Sequence, residues 1–143
     1  MKKPIGKYND ENLYLQIASY QNNKRIYLAV ETEDELYADI TINLSDMLIP
    51  DDDYIFVNSD MTTELRNFLE KKKIIGETIE TYQYNMGRYD MAKVDFNLLK
   101  EYDPEGFNEF EKYQKKDIEL WYNWLVEVKR WEKKCYLKRK GNI

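Results

Sequence analysis

Residues 12–44 decide the fold, and they read NLYLQIASYQNNKRIYLAVETEDELYADITINL. Apolar side chains occupy every second position in three successive runs, which are Leu13, Leu15 and Ile17, then Ile26, Leu28 and Val30, then Leu36, Ala38, Ile40, Ile42 and Leu44. A period of two is typical of a strand with one buried face. Polar turns at 21–24 and 33–35 separate the runs, and asparagine tolerates the left-handed backbone that tight hairpins require. The stretch therefore predicts a three-stranded antiparallel meander.

After the meander, the chain predicts further strands and two helices. Residues 54–57 resemble a fourth strand, and residues 77–84 and 89–96 resemble a second hairpin. Residues 60–73 combine capping residues, helical spacing and a lysine-rich end, which predicts a short helix. From 107 to 140 apolar residues recur at helical spacing, which predicts a long amphipathic helix. The predicted fold class is α+β, with an antiparallel sheet, one short helix and one long C-terminal helix.

Length and composition favour one domain formed by residues 1–143. A chain of 143 residues with 43% apolar and 34% charged residues can close one core without disulfides or a metal. A helix over 107–140 is longer than such a domain easily covers, so its basic end could project. The lone Cys135 and the absence of an apolar segment long enough for a signal peptide or a membrane span favour the cytoplasm. We expect neither a cofactor nor membrane insertion.

Five stretches carry a resemblance to a known family. They are residues 5–8 (IGKY), 19–23 (SYQNN), 37–44 (YADITINL), 56–60 (FVNSD) and 96–106 (FNLLKEYDPEG). Together they resemble the DUF4313 family of small uncharacterised bacterial proteins, often found in mobile elements, over roughly residues 5–107. The resemblance implies a mobile-element setting and supplies no catalytic residues. The tryptophan-rich tail lies outside it.

The residue types of common catalytic sites are missing. The chain has no histidine, which removes the commonest general base and every Ser-His or Cys-His pair. Its five glycines are scattered and form no phosphate-binding loop. The run 51–53, with Asp46 nearby, suggests a calcium loop, but the EF-hand order is absent and a solvated charged loop is the better interpretation. The sequence therefore predicts that the protein is not an enzyme and holds no metal.

Acidic residues are concentrated in one part of the chain. Residues 26–65 contain 11 Asp and Glu and no Lys or Arg, whereas residues 110–143 contain five acidic and ten basic residues. If the aliphatic positions face the core, the opposite face of the meander mixes aromatics with acids. It would carry Tyr14, Gln16, Tyr20, Tyr27, Glu31, Tyr37, Asp39, Thr41 and Asn43.

That face predicts a surface for a protein partner with a basic surface. The residues expected to bind the partner are Tyr14, Tyr27, Glu31, Tyr37, Asp39, Asp51, Asp52 and Asp53. Two alternatives stay open: the long helix packs over the face, or tyrosine serves only as a good strand former.

The C-terminal helix carries a second candidate surface. Trp121, Trp124, Val128 and Trp131 predict core packing or self-association as a homodimer. The basic residues beyond them could contact nucleic acid or an anionic surface, or could complement the helix dipole. They are Lys133, Lys134, Lys138, Arg139 and Lys140.

Three functions follow as hypotheses. The first is a mobile-element accessory protein, such as an anti-defence inhibitor, whose acidic face blocks the basic nucleic-acid-binding surface of a CRISPR effector or restriction enzyme. The second is a nucleic-acid-associated factor that acts through the basic helix. The third is a structural module of a conjugation or phage assembly.

Overall fold

The structure is a computed structural model that describes residues 2–141 and, of the side chains, those of 2–115 and 120–132. The chain divides into two compact units, residues 1–110 and 111–143. The strands are β1 (Gly6–Tyr8), β2 (Glu11–Ser19), β3 (Ile26–Glu31), β4 (Leu36–Asp39), β5 (Thr41–Ile42), β6 (Tyr54–Val57), β7 (Thr78–Tyr84) and β8 (Gly87–Lys93). The helices are α1 (Thr63–Lys71), α2 (Phe96–Tyr102) and α3 (Pro104–Gly141). The α+β class and the long C-terminal helix are confirmed.

Within the described residues, the strands form two antiparallel sheets, with orders β1-β2-β3-β4 and β5-β6-β8-β7. The first sheet is the predicted meander with β1 added at its edge. The pattern does not predict β1 because three residues are too few to show an alternation. Asn9 and Asp10 both have positive φ, at 50° and 64°, and form the tight turn between β1 and β2. Asn and Asp are among the residues that tolerate this conformation best.

The third predicted strand passes from one sheet to the other at Ile40. Its first part, β4, pairs with β3, and its second part, β5, pairs with β6. The Ile40 N–H donates to the Leu28 carbonyl at 2.9 Å, and the Ile40 carbonyl accepts from the Asn58 N–H at 2.8 Å. Ile40 and Thr41 are both buried, so the burial alternation is interrupted where the strand changes sheets, although the apolar residues of 36–44 still occupy every second position and gave no sign of the division.

One hydrophobic core joins both sheets to the helices of the first unit. The main contributors are Leu13, Leu15, Ile17, Ile26, Leu28, Val30, Ile40, Ile55, Val57, Leu65, Leu69, Ala92, Leu99, Phe107 and Phe110. A smaller cluster of Leu44, Phe56 and Met91 lies on the other face of the second sheet, where Met47 and Ile49 of the preceding loop pack against it. Both faces of the second sheet are therefore packed.

The predicted second hairpin and short helix are confirmed. The turn of the hairpin and the C-terminal end of the helix each place non-glycine residues at positive φ. Asn85 and Met86 form the β7–β8 turn with φ of 45° and 67°. At the end of α1, Lys73 has φ 63° and its N–H donates to the Glu70 carbonyl, while the Ile74 N–H donates to the Leu69 carbonyl. This is the bonding of a Schellman motif, where glycine is usual.

The first hairpin also differs from the prediction at its turn. The predicted left-handed asparagine at 22 or 23 is wrong, because Lys24 has the positive φ, 61°. The Tyr20 N–H donates to the Arg25 carbonyl at 2.9 Å and closes the turn.

The segment 94–106 departs most from the sequence prediction. The pattern extends a strand to 96 and begins the long helix at 107, whereas α2 begins at Phe96 and α3 begins at Pro104. The Asp95 carboxylate accepts the N–H groups of Asn97 and Leu98 and so starts α2 with the bonding of an N-cap. Capping aspartates, rather than apolar periodicity, set the boundaries here. Among the described residues no helix is long and apolar enough to cross a membrane.

Asp103 ties the start of α3 to the first sheet. Its side chain is 4% exposed and lies 3.6 Å from the Lys2 ammonium. One carboxylate oxygen accepts the Gly106 N–H at 3.2 Å, and the other accepts the Ile17 N–H of β2 at 2.9 Å. A Cβ at Gly106 would lie 2.5 Å from the Ile17 carbonyl oxygen, so only glycine permits this approach. The 103–106 part of the stretch that resembles the family is therefore a structural junction.

Candidate functional site

The carboxylates of residues 26–65 divide by exposure and pairing. Glu31 and Asp53 are partly buried and form ion pairs, with Lys2 at 2.9 Å and Lys93 at 3.6 Å. The other nine are exposed, and in the part of the chain that the structure describes none of them forms an ion pair. They are Glu33, Asp34, Glu35, Asp39, Asp46, Asp51, Asp52, Asp60 and Glu64. Most of the negative charge in this span is therefore unneutralised by neighbouring cations.

Two acidic turns lie at the same end of the first sheet. In an antiparallel meander alternate turns fall at one end, so the β1–β2 turn and the β3–β4 turn are neighbours there. A groove of about 270 Å³ lies between them, lined by Lys7, Asp10, Glu11, Asn12, Thr32, Glu33 and Asp34. We call the exposed carboxylates of these turns the acidic end; they are Asp10, Glu11, Glu33, Asp34 and Glu35.

Local hydrogen bonds fix the β3–β4 turn of the acidic end. The Thr32 hydroxyl accepts the N–H groups of Asp34 at 3.4 Å and Glu35 at 3.2 Å, and the Thr32 N–H donates to the Glu35 carbonyl at 2.8 Å. The Tyr14 hydroxyl donates to the Glu33 carboxylate at 3.3 Å. Burial, and then the Glu33 charge, raise the pKa of Tyr14. A constrained turn presents its charges with little loss of entropy on binding.

Four of the predicted partner-binding residues share the outer face of the first sheet. Tyr14 lies opposite Glu31 in the β2–β3 register, and the residues on both sides of Tyr14 are buried. The Tyr27 hydroxyl donates to the Asp39 carboxylate at 2.6 Å. Burial, followed by this hydrogen bond, raises the pKa of Tyr27 above its ordinary value. Tyrosine hydroxyls therefore satisfy two of the acids without neutralising their charge.

Tyr37 and Thr41 do not join that face as the alternation predicts. The Tyr37 ring lies 6.1 Å from the Tyr8 ring, centroid to centroid, and Tyr8 packs against the core. A register shift in the β3–β4 pairing, beside Glu31, breaks the alternation that placed Tyr37 next to Asp39.

Thr41 is buried because it follows the change of sheet at Ile40. Thr41 is only 4% exposed, and its hydroxyl accepts the Leu28 N–H at 3.2 Å. The same hydroxyl shares a hydrogen bond of 2.9 Å with the Tyr20 hydroxyl. Thr41 is thus a satisfied core residue.

The predicted residues Asp51, Asp52 and Asp53 belong to a different part of the fold. They precede β6 of the second sheet, and Asp53 pairs with Lys93 of β8. Burial, and then the charges of its two neighbours, raise the pKa of Asp52. Among the described residues, no group of three or more Cys, Asp or Glu side chains is placed to hold a metal ion.

The sequence pattern missed the contribution of Asp10 and Glu11 to the acidic end. Both residues lie outside the cation-free span, and the short strand β1 is needed to bring their turn beside residues 32–35. The pair Asn9-Asp10, which is a hairpin-turn signal, was the available clue.

The predicted self-association residues lie on α3 in the second unit. Trp121, Trp124 and Trp131 are 63%, 62% and 66% exposed, and Val128 is partly buried. The basic group Lys133, Lys134, Lys138, Arg139 and Lys140, together with Cys135, lies outside the described side chains.

A wider open groove of about 960 Å³ lies between the end of α1 and β8. It is lined by Glu70, Lys73, Ile75, Gly76, Glu77, Thr78, Lys93, Val94, Asp95 and Leu98. Its floor is apolar, and its rim carries charges of both signs, so it favours no single ligand charge.

The comparisons with known proteins place the chain in a family. No curated protein and no solved structure gives a match. The family model described as a domain of unknown function (DUF4313) matches residues 14–114. The match runs from β2 to the first turns of α3; it includes Asp103 and Gly106 and ends before the tryptophans. Because it covers more than half of the chain, the protein belongs to the DUF4313 family.

Proposed function

We propose that the protein is a non-enzymatic binding protein whose acidic end docks on a basic surface of a protein partner. The observation that carries the proposal is the set of five exposed carboxylates of the acidic end, none of which forms an ion pair among the described residues. Charges left free in this way act on a partner over about a Debye length, roughly 8 Å at physiological salt. Complementary potentials then steer association and exclude partners of like charge.

The partner proposed is a nucleic-acid-binding enzyme of a defence system, which makes the protein an anti-defence inhibitor. Lys and Arg side chains that bind phosphate also bind carboxylate, and Arg does so in bidentate geometry. Four of the five carboxylates of the acidic end line one groove, and Tyr14, whose hydroxyl donates to Glu33, can supply contact area beside them. The mobile-element setting of this proposal comes from the family resemblance.

Competition with DNA tests the proposal. A labelled duplex is bound to a purified restriction endonuclease or CRISPR nuclease, and the protein is titrated in while fluorescence anisotropy reports the bound DNA. We expect displacement that weakens steeply as salt is raised. The triple variant Glu33→Lys, Asp34→Lys and Glu35→Lys should not displace DNA.

A charge-matched control variant distinguishes the effect of the acidic end from the effect of the protein's net charge. The variant Asp46→Lys, Asp51→Lys and Asp52→Lys makes the same change in net charge in the loop before β6. We expect it to keep most of the displacement. If the two triple variants behave alike, net charge rather than the acidic end is responsible, and the proposed site is wrong.

The nucleic-acid-associated alternative rests on residues 133–140, whose side chains are not described. A gel-shift titration of the full chain with DNA and RNA distinguishes it from the first proposal. Retention of nucleic acid that is lost when residues 133–143 are removed would favour the alternative. The structural-module hypothesis instead predicts self-association without an external target.

A further inference from the structure

The aromatic residues of α3 change their environment along the helix. Phe107 and Phe110, in its first turns, are 4% and 3% exposed and belong to the core of the first unit. In the second unit, Trp121, Trp124 and Trp131 are each more than 60% exposed. A large aromatic side chain left in water forgoes most of its hydrophobic stabilisation, and a contiguous set of them marks an interaction surface.

The exposed tryptophans form one stripe with the spacing of a coiled-coil seam. Positions 121, 124, 128 and 131 are separated by three, four and three residues, as successive a and d positions of a heptad are. At 3.6 residues per turn, these four positions fall within an arc of about 80°. Val128, a β-branched residue, lies in the middle of the stripe and is partly exposed.

We infer that this tryptophan stripe, defined as Trp121, Trp124, Val128 and Trp131, is the seam of a homodimer formed by α3 of two copies of the chain. The inference goes beyond the proposed function, because the acidic end takes no part in it. A tryptophan side chain offers up to about 250 Å². At the observed exposures, full burial of three tryptophans from each copy gives at most about 950 Å² in total, close to the roughly 1,000 Å² that marks the lower limit of a specific interface, so the dimer should be weak and depend on concentration.

The charge at the end of the stripe is compatible with a second copy of the chain. Glu132 follows the stripe and points about 20° from the direction of Trp121, so the apolar face ends in a carboxylate. A carboxylate at the edge of a protein interface stays in the solvated polar rim. The basic residues of 133–140 that follow it would attract anionic lipid, so a lipid surface is the competing occupant that the experiment must exclude.

The tryptophans also provide the assay, because all three tryptophans of the protein lie on the stripe. Sedimentation equilibrium of the full chain should show a dimer that dissociates on dilution. Tryptophan emission should shift to the red over the same concentration range, as the indoles enter water. Trp124→Glu should weaken dimerisation by more than about tenfold, since buried aromatic anchors dominate interfaces.

Tyr122 supplies a matched control, because it is 64% exposed but points about 100° away from Trp121. Tyr122→Glu should leave the dimer intact. A chain that stays monomeric at the highest soluble concentration with red-shifted emission would overturn the inference. So would a blue shift that appears only on addition of vesicles containing phosphatidylserine, which would assign the stripe to a lipid surface.

Discussion

Replacing Asp103 by alanine should destabilise the protein more than any ordinary loss of a helix cap. The two carboxylate oxygens accept different N–H groups, of Ile17 on β2 and of Gly106 in the first turn of α3. Loss of an N-cap costs about 1 kcal/mol. Leaving the buried Ile17 N–H without an acceptor costs about a further 1–3 kcal/mol. We therefore expect Asp103→Ala to lower the free energy of unfolding by about 2–4 kcal/mol, out of a total of roughly 5–15 kcal/mol.

Two comparison variants make this prediction specific. Asp95→Ala removes an exposed cap of α2 that accepts only from its own helix, so it should cost about 1 kcal/mol. Asp103→Asn keeps one acceptor oxygen and replaces the other with an amide donor. Its loss of free energy of unfolding should therefore lie between those of Asp95→Ala and Asp103→Ala. The assay is urea unfolding followed by circular dichroism, with the variants compared at equal m-value. The reasoning would be refuted if Asp103→Ala cost no more than Asp95→Ala.

Three further predictions concern backbone strain and tyrosine ionisation. Lys73→Gly should raise the free energy of unfolding, measured in urea, by about 1 kcal/mol, because Lys73 has φ 63° and glycine adopts this left-handed conformation without strain. Lys72→Gly is the control: Lys72 has φ −82°, so glycine relieves no strain there and should lower the free energy of unfolding. Met86→Gly, at φ 67° in a turn that is fully exposed, should raise the melting temperature, and an unchanged or lower value would refute the turn geometry. Burial and the Asp39 hydrogen bond raise the pKa of Tyr27 above 10.0, so the neutral phenol stabilises the fold below pH 10 and this contribution is lost as the pH rises further. Tyr27→Phe should therefore flatten the fall in stability above pH 10, and an unchanged alkaline profile would count against the Tyr27–Asp39 bond.

The elements with many apolar positions could be predicted from the sequence. The meander and the long helix repeat their period several times, and their observed bounds lie within a few residues of the predicted ones. The second hairpin and α1 have less regular patterns and are indicated by their turn and capping residues. The elements that depend on one polar contact could not be predicted in this way. The starts of α2 and α3 are set by Asp95 and Asp103, and only the fold shows that Asp103 also accepts from β2.

The candidate site was only partly predictable for a related reason. A charge count along the chain finds the cation-free span, and the alternation places Tyr14, Tyr27 and Asp39 on the outer face. The acidic end depends on two turns, near Asp10 and Asp34, that are distant in sequence and meet through strand order. The local sequence pattern does not show which strands are neighbours, so it could not bring these two turns together. The register shift beside Glu31 is likewise set by the tertiary structure.

The most direct test of the central claim is a titration of the isotope-labelled protein with an oligo-arginine peptide, followed by amide chemical shifts. If the acidic end is the principal unneutralised surface, the largest shift changes should fall at residues 9–12 and 31–35 and should diminish as salt is added. Changes that are largest at residues 46–53, or that are spread evenly over all exposed carboxylates, would contradict the claim.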